Sequence, residues 1–91
     1  MTSESLLGTH GVMDCGAWVS NFMLAASALG VATIAQAAIA SWPDVLRQHI
    51  DIAGDRSIVC GVWFGFEDSE HPANNFRTTR APLDEVAFWV D

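Results

Sequence analysis

An almost unbroken apolar run decides how this chain folds; it reads Ile58-Val59-Cys60-Gly61-Val62-Trp63-Phe64-Gly65-Phe66. Such a run is typical of a strand that is covered on both faces. We predict one strand over residues 57–66, in which Gly61 and Gly65 leave room for another backbone or a helix. A lone strand cannot pair its own backbone N–H and C=O groups, so the rest of its sheet must come from elsewhere.

The segment before this strand is dominated by a long uncharged stretch between Asp14 and Asp44. Asp14 is a suitable N-cap for a helix from about Cys15 to Leu29, and Gly30 stands where a left-handed C-terminal residue is wanted. Apolar residues occupy nearly every side of this helix. A helix that is apolar all round is buried all round, which in so short a chain requires another subunit or additional chain.

The remaining elements are short. Residues 1–13 are small, polar and dotted with glycine, and we predict a flexible lead-in to a single unit over 14–91. A short extended segment is predicted at 31–34 and a helix from Ser41 to about residue 50. A last short helix is predicted after Pro82.

An arginine pair follows the strand. Arg77 and Arg80, two of the four basic residues, lie in the loop 74–82, which also contains amides and hydroxyls. Guanidinium groups bind phosphate and carboxylate in a bidentate manner, through two parallel hydrogen bonds. The pair therefore either holds a phosphate group or forms ion pairs with nearby acids. The loop has no glycine nest and no adjacent helix start, so the charge pattern by itself favours the ion pairs.

The composition restricts the function classes. The chain has 91 residues, no lysine and a formal net charge of -7, so it lacks the basic stripe of a nucleic-acid-binding protein. Cys15 and Cys60 have apolar neighbours and are expected to be buried, reduced thiols, which indicates a cytoplasmic protein. Apolar residues make up 51% of the chain, and we expect part of this apolar surface to face a partner.

Two other possibilities are less favoured. The run from Cys15 to Ile34 is long enough to span a bilayer, but small polar residues dilute it and no basic residue flanks it before Arg47. The three histidines are scattered, so no metal site is predicted. No side chain is predicted to act in catalysis, and the Trp and Phe residues are expected to form the core first and a ligand platform second.

The order of these pieces resembles the C-terminal half of the FMN-dependent nitroreductase family. The matching segments lie between Asp14 and Trp89 and comprise residues 20–31, 33–38, 42–47, 58–66 and 75–85. The resemblance implies an α+β fold, present here as a partial nitroreductase-like fold with a buried apolar helix, a core strand and an extended C-terminal arm. It also implies a homodimer with FMN at the subunit interface.

The resemblance implies two parts of an FMN site. One is a short segment whose backbone lies near the flavin ring and hydrogen-bonds its N5 atom: Ala35, Gln36, Ala37 and Ala38. From spacing alone, this segment is more simply a tight turn. The other part is the arginine pair, in which Arg77 is the flexible contact to the FMN phosphate and Arg80 the more fixed one.

The implied function is that of an NAD(P)H oxidoreductase that reduces small nitroaromatic or quinone compounds. The family has an N-terminal half with an arginine-rich segment that also binds FMN, and nothing in residues 1–13 resembles it. We therefore expect a truncated or partial chain that forms a homodimer or pairs with a missing N-terminal half, with no nucleic-acid or membrane partner. The alternative is a non-catalytic dimerisation or interaction module derived from that fold.

Overall fold

Four short strands and three helices follow one another along residues 1–90, the part of the chain that this computed structural model describes. The last residue of the predicted unit, Asp91, lies outside the described residues. Two antiparallel sheets of two strands each are formed, one from β1 with β3 and one from β2 with β4. The bounds are β1 Thr2–Glu4, α1 Gly8–Ala28, β2 Ala32–Gln36, α2 Pro43–His49, β3 Arg56–Ile58, β4 Gly61–Gly65 and α3 Leu83–Val86.

Helix α1 begins at Gly8, earlier than predicted, and Asp14 lies inside it instead of capping it. Residues 2–13 are therefore not structureless, because they form β1, a 3-10 turn and the start of α1. The glycines suggested a loose segment, but Gly11 is buried where α1 lies against Ser3 of β1. Tertiary packing thus overrides the low helix propensity of glycine. The division of the chain at residue 13 stays a prediction.

Within the single chain, α1 is buried along one side only. Its buried residues are Gly11, Cys15, Val19 and Ala26, whereas Leu24 is 72% exposed. The expectation of a helix buried all round is therefore not met by the contacts of this chain alone. Across residues 1–90, α1 included, no helix is both long and apolar enough to cross a bilayer.

The end of α1 confirms the role predicted for Gly30. Gly30 adopts a positive φ of 75°, its N–H donates to the Ser27 carbonyl at 3.0 Å, and the Val31 N–H donates to the Ala26 carbonyl at 2.9 Å. This Schellman arrangement satisfies carbonyl groups at the helix end and reverses the chain direction. It leads directly into β2, whose position close to the predicted extended segment is also confirmed.

The prediction of one continuous strand over 57–66 is wrong, because two strands with different partners occupy it. The strand β3 pairs with β1, whereas β4 pairs with β2. Between them, the Val59 N–H donates to the Met1 carbonyl and the Met1 amine donates to the Cys60 carbonyl. The N-terminal segment thus supplies the partner for the first half of the apolar run, which the sequence pattern did not reveal.

The chain leaves much of its surface in solvent. Its accessible surface is 7689 Å², whereas a folded monomer of this mass exposes about 5,200 Å². Its radius of gyration is 16.3 Å, against about 12 Å expected for a compact domain of this length. The excess surface, about 2,500 Å², is comparable to that covered in an extensive subunit interface.

The packing of β1 on α1 can be tested with two glycines of the same helix. A Cβ atom at Gly11 would collide with Ser3 Oγ and lie 2.8 Å from Leu7 Cβ, whereas a Cβ at Gly16 meets open space. We expect Gly11→Ala to lower the free energy of unfolding by about 1–3 kcal/mol because the site is overpacked. Gly16→Ala should raise it by about 0.5–1 kcal/mol. Urea denaturation followed by circular dichroism measures both, and equal stabilisation by the two changes would contradict this packing.

Candidate functional site

An open cavity of about 1040 Å³ lies where the β2–β4 ribbon, the end of α1 and the arginine loop meet. Residues 32–35 of β2 and residues 63–65 of β4 line it on the sheet side. Met23 and Ser27 of α1 contribute to its lining. Residues 66–80 pass along the cavity and add polar and charged groups, among them Asn74 and Thr78.

Three of the six predicted site residues line this cavity, namely Ala35, Arg77 and Arg80. The other three do not line it. Gln36 pairs with Gly61 in the β2–β4 ladder, and Ala37 and Ala38 lead into a 3-10 turn over Ala38–Ser41. The segment thus comprises the end of a strand followed by a tight helical turn. Its predicted role beside a flavin ring stays a prediction.

Arg77 is held mainly by its own loop. Its Nη1 donates to the carbonyls of Asn74 at 2.7 Å and Phe76 at 3.1 Å. Its Nη2 forms an ion pair with Glu67 Oε1 at 3.3 Å. The ion pair that the sequence left open as an alternative therefore exists for Arg77. Both side chains remain accessible, at 72% for Arg77 and 44% for Glu67.

Arg80 differs from Arg77 because it has no carboxylate partner within residues 1–90. Its Nη1 donates to Thr78 Oγ1 at 2.5 Å and to the Thr79 carbonyl at 3.2 Å. Both acceptors belong to its own loop and are uncharged. The positive charge of Arg80 is thus available to an anion in the cavity.

A hydrogen-bonded turn over residues 68–74 positions the arginine loop. The Asn74 side-chain amide donates to the Asp68 carbonyl at 2.7 Å, and the His71 N–H donates to the same carbonyl at 3.1 Å. The Asn74 N–H donates to the His71 carbonyl at 2.9 Å. The backbone carbonyl of Asn74 also accepts from Arg77 Nη1, so Asn74 connects this turn to the guanidinium group. Asn74 was not among the predicted site residues, although asparagine in such a turn is a recognisable signal.

The sheet side of the cavity is aromatic. Trp63 and Phe64 are 62% and 70% exposed, so the expectation that they form the core is wrong for the chain by itself. Phe64 meets Phe22 of α1 edge to face with ring centroids 6.1 Å apart, and Phe22 stacks on Trp18 at 5.2 Å. As neighbours on β4, the two rings point to opposite faces of the ribbon, and too little chain covers either face to bury them. Both rings line the cavity.

The cavity therefore combines apolar side chains of the β2–β4 ribbon with polar side chains of mixed charge. The guanidinium groups of Arg77 and Arg80 and the Thr78 hydroxyl form a donor set suited to a phosphate monoester. Glu67 and Asp68 also line the cavity and offset these charges. Among residues 1–90, no group of three or more His, Cys, Asp or Glu is arranged to hold a metal ion.

Comparison with known proteins shows what the chain is similar to. A 4-nitrobenzoate reductase from Nocardioides sp. is 38% identical over 82 residues, 88% of this chain and 33% of that protein. The nitroreductase NfnB from Mycolicibacterium smegmatis is 32% identical over 73 residues, 80% of this chain and 31% of that protein. Over this shared third, the chain is similar to nitroreductases. No family model matches it.

A solved nitroreductase has the same fold over the matched region. The FMN- and NADPH-dependent nitroreductase NfnB from Sphigopyxis sp. strain HMH superposes with a TM-score of 0.90 at 27% identity. The match covers 99% of this chain and 40% of that protein. The chain thus has a partial nitroreductase-like α+β fold, as predicted, and spans about a third of the length of its curated relatives.

The role of Asn74 leads to a prediction about the arginine loop. Asn74→Ala removes the hydrogen bond to the Asp68 carbonyl, and we expect tryptic cleavage after Arg77 to become about fivefold faster as the loop opens more often. Asn75→Ala is the matched control, because the Asn75 side chain makes no hydrogen bond within residues 1–90. Mass spectrometry of the digest follows the cut. Equal acceleration by both variants would argue against the turn as the element that positions Arg77.

Proposed function

We propose that the chain forms part of an FMN-dependent NAD(P)H oxidoreductase of the nitroreductase type, which reduces small nitroaromatic or quinone compounds in the cytoplasm. The observation that carries this proposal is that Ala35 lines the same cavity as Arg77 and Arg80, although β2 and the arginine loop are distant in sequence. The family relationship supports it, since the matched structure is that of a nitroreductase described as FMN- and NADPH-dependent.

The donor set of this chain fits the phosphate end of FMN. Arg80 has no carboxylate partner among the described residues, and its guanidinium group donates hydrogen bonds to two uncharged acceptors of its own loop. Arg77 lies in the same loop and lines the same cavity, and we assign both guanidinium groups to one phosphate. Guanidinium–phosphate contacts are charge-assisted and strong, which suits the binding of a dianion by an otherwise acidic chain.

The sheet side of the cavity fits the ring end. Ile34 and Trp63 pair across the ribbon on one face and supply exposed apolar surface, and Ala35 permits close approach because it has only a methyl side chain. Gln36, Ala37 and Ala38 continue from Ala35, and we assign the contact near N5 to a backbone N–H of this segment. The bound FMN would supply the redox chemistry of the reaction. The residues of this chain bind and orient it, and no side chain is assigned an acid or base role.

The incomplete burial supports a second part of the proposal, that the functional unit contains more than one such chain or an additional segment. The excess accessible surface of about 2,500 Å² is too large for a stable monomer of this size. We propose either a homodimer or a complex with a chain equivalent to the missing N-terminal half, in which α1 and the exposed rings of Trp63 and Phe64 are covered.

The phosphate assignment is tested by comparing FMN with riboflavin, which has the same ring and no phosphate. We expect the Arg77→Ala/Arg80→Ala double variant to bind FMN at least about tenfold more weakly, because two charged contacts are lost, and to bind riboflavin unchanged. Quenching of flavin fluorescence measures both affinities. Arg56→Ala is a control for the loss of one positive charge at β3, away from the cavity, and should leave both affinities unchanged.

An FMN affinity of the double variant equal to that of the parent chain would contradict the phosphate assignment. If FMN and riboflavin affinities fell together, the arginines would instead be needed for the fold.

A second candidate function is a non-catalytic dimerisation module, which the exposed apolar face of α1 favours. It predicts dimers in the absence of flavin. We expect Leu24→Glu to convert such dimers to monomers in sedimentation velocity, because it places a charge on that face, whereas Gln48→Glu on α2 should leave them intact. A well-folded monomeric parent chain would exclude this module.

A further inference from the structure

We propose that Glu67 is a built-in competitor for Arg77, which lowers the affinity of the arginine pair for anions until a phosphate monoester displaces it. This inference rests on the proposed phosphate site and assigns that site a residue that sets its affinity and selectivity. Glu67 follows β4 directly after Phe66 and lines the same cavity as the arginines.

The two arginines differ in the way that the proposal requires. Arg77 is engaged by a carboxylate through one contact, Nη2 to Glu67 Oε1 at 3.3 Å. Among residues 1–90, Arg80 is engaged only by the uncharged oxygens of Thr78 and Thr79. An anion entering the cavity therefore meets one available guanidinium group and one that is already paired. A bidentate phosphate contact that uses Nη2 of Arg77 competes with the Glu67 contact.

The geometry makes this contact displaceable. It is a single, long N···O contact between two accessible side chains, and such pairs are weak because water screens them and both side chains lose freedom. A phosphate dianion has several oxygens and can contact a guanidinium group through two parallel hydrogen bonds. It can therefore replace the single Glu67 oxygen, whereas a monoanion such as acetate offers the same kind of group that Glu67 already provides.

Asp68 provides an internal control for this assignment. It also lines the cavity and carries the same charge, but its carboxylate accepts from the Glu70 N–H at 3.1 Å and has no contact with Arg77. If the contact with Arg77 sets the anion affinity, neutralising Glu67 should change that affinity more than neutralising Asp68. If only the negative charge near the cavity matters, the two changes should be equal.

The test measures FMN and riboflavin affinities by fluorescence quenching for the parent chain, Glu67→Gln and Asp68→Asn at one ionic strength. We expect Glu67→Gln to bind FMN about two- to fivefold more tightly, the range expected for releasing one exposed ion pair, with riboflavin binding unchanged. Asp68→Asn should give a clearly smaller gain. In an Arg77→Ala background, Glu67→Gln should give no gain, because the competed group is absent.

The contrary results are distinct from those that would remove the phosphate site. If Arg77→Ala weakens FMN binding but Glu67→Gln leaves it unchanged, the competitor role is wrong and the phosphate site stands. An equal gain in Asp68→Asn, or a gain that persists without Arg77, would also overturn the role, since bulk charge would then explain it. Absence of FMN binding in every variant would remove both proposals.

Discussion

The antiparallel pairing of β2 with β4 is the constraint on which the rest of the structure depends. It sets Ala35 opposite Val62 and Gln36 opposite Gly61. Because β2 follows α1 through the turn at Gly30, this pairing also fixes α1 relative to the sheet. The chain that leaves β4 is thereby directed along the cavity, and its arginine loop reaches the same cavity as Ala35.

A close backbone contact supports this pairing. Gly61 lies against Ile39 of the turn that follows β2, where a Cβ atom would stand 3.2 Å from Ile39 Cγ2. A larger residue at this position would push the turn away from β4. The small residues of the segment after β2 and the glycine of β4 therefore act together. They allow the backbone after Ala35 to stay close to the sheet next to the cavity.

Charge is distributed unevenly over the molecule. The chain has only four basic residues, and two of them line the cavity. Arg47 and Arg56 serve the other sheet instead, where Arg47 donates to the Arg56 carbonyl at 2.7 Å and Arg56 pairs with Glu4 at 3.5 Å. The arginines thus divide into a pair that ties the N-terminal sheet to α2 and a pair at the candidate site, of which only Arg80 has no carboxylate partner within residues 1–90.

Local signals in the sequence were sufficient for α2, for the end of α1 at Gly30 and for the extended segment that becomes β2, because caps, prolines and glycines act over a few residues. The order of the segments was also sufficient to indicate the nitroreductase family. Which strand pairs with which, the burial of Gly11 against Ser3, and the Glu67–Arg77 contact were decided only by the tertiary structure. These contacts join residues that are distant in sequence, and the pattern of an apolar run does not specify which strand it pairs with.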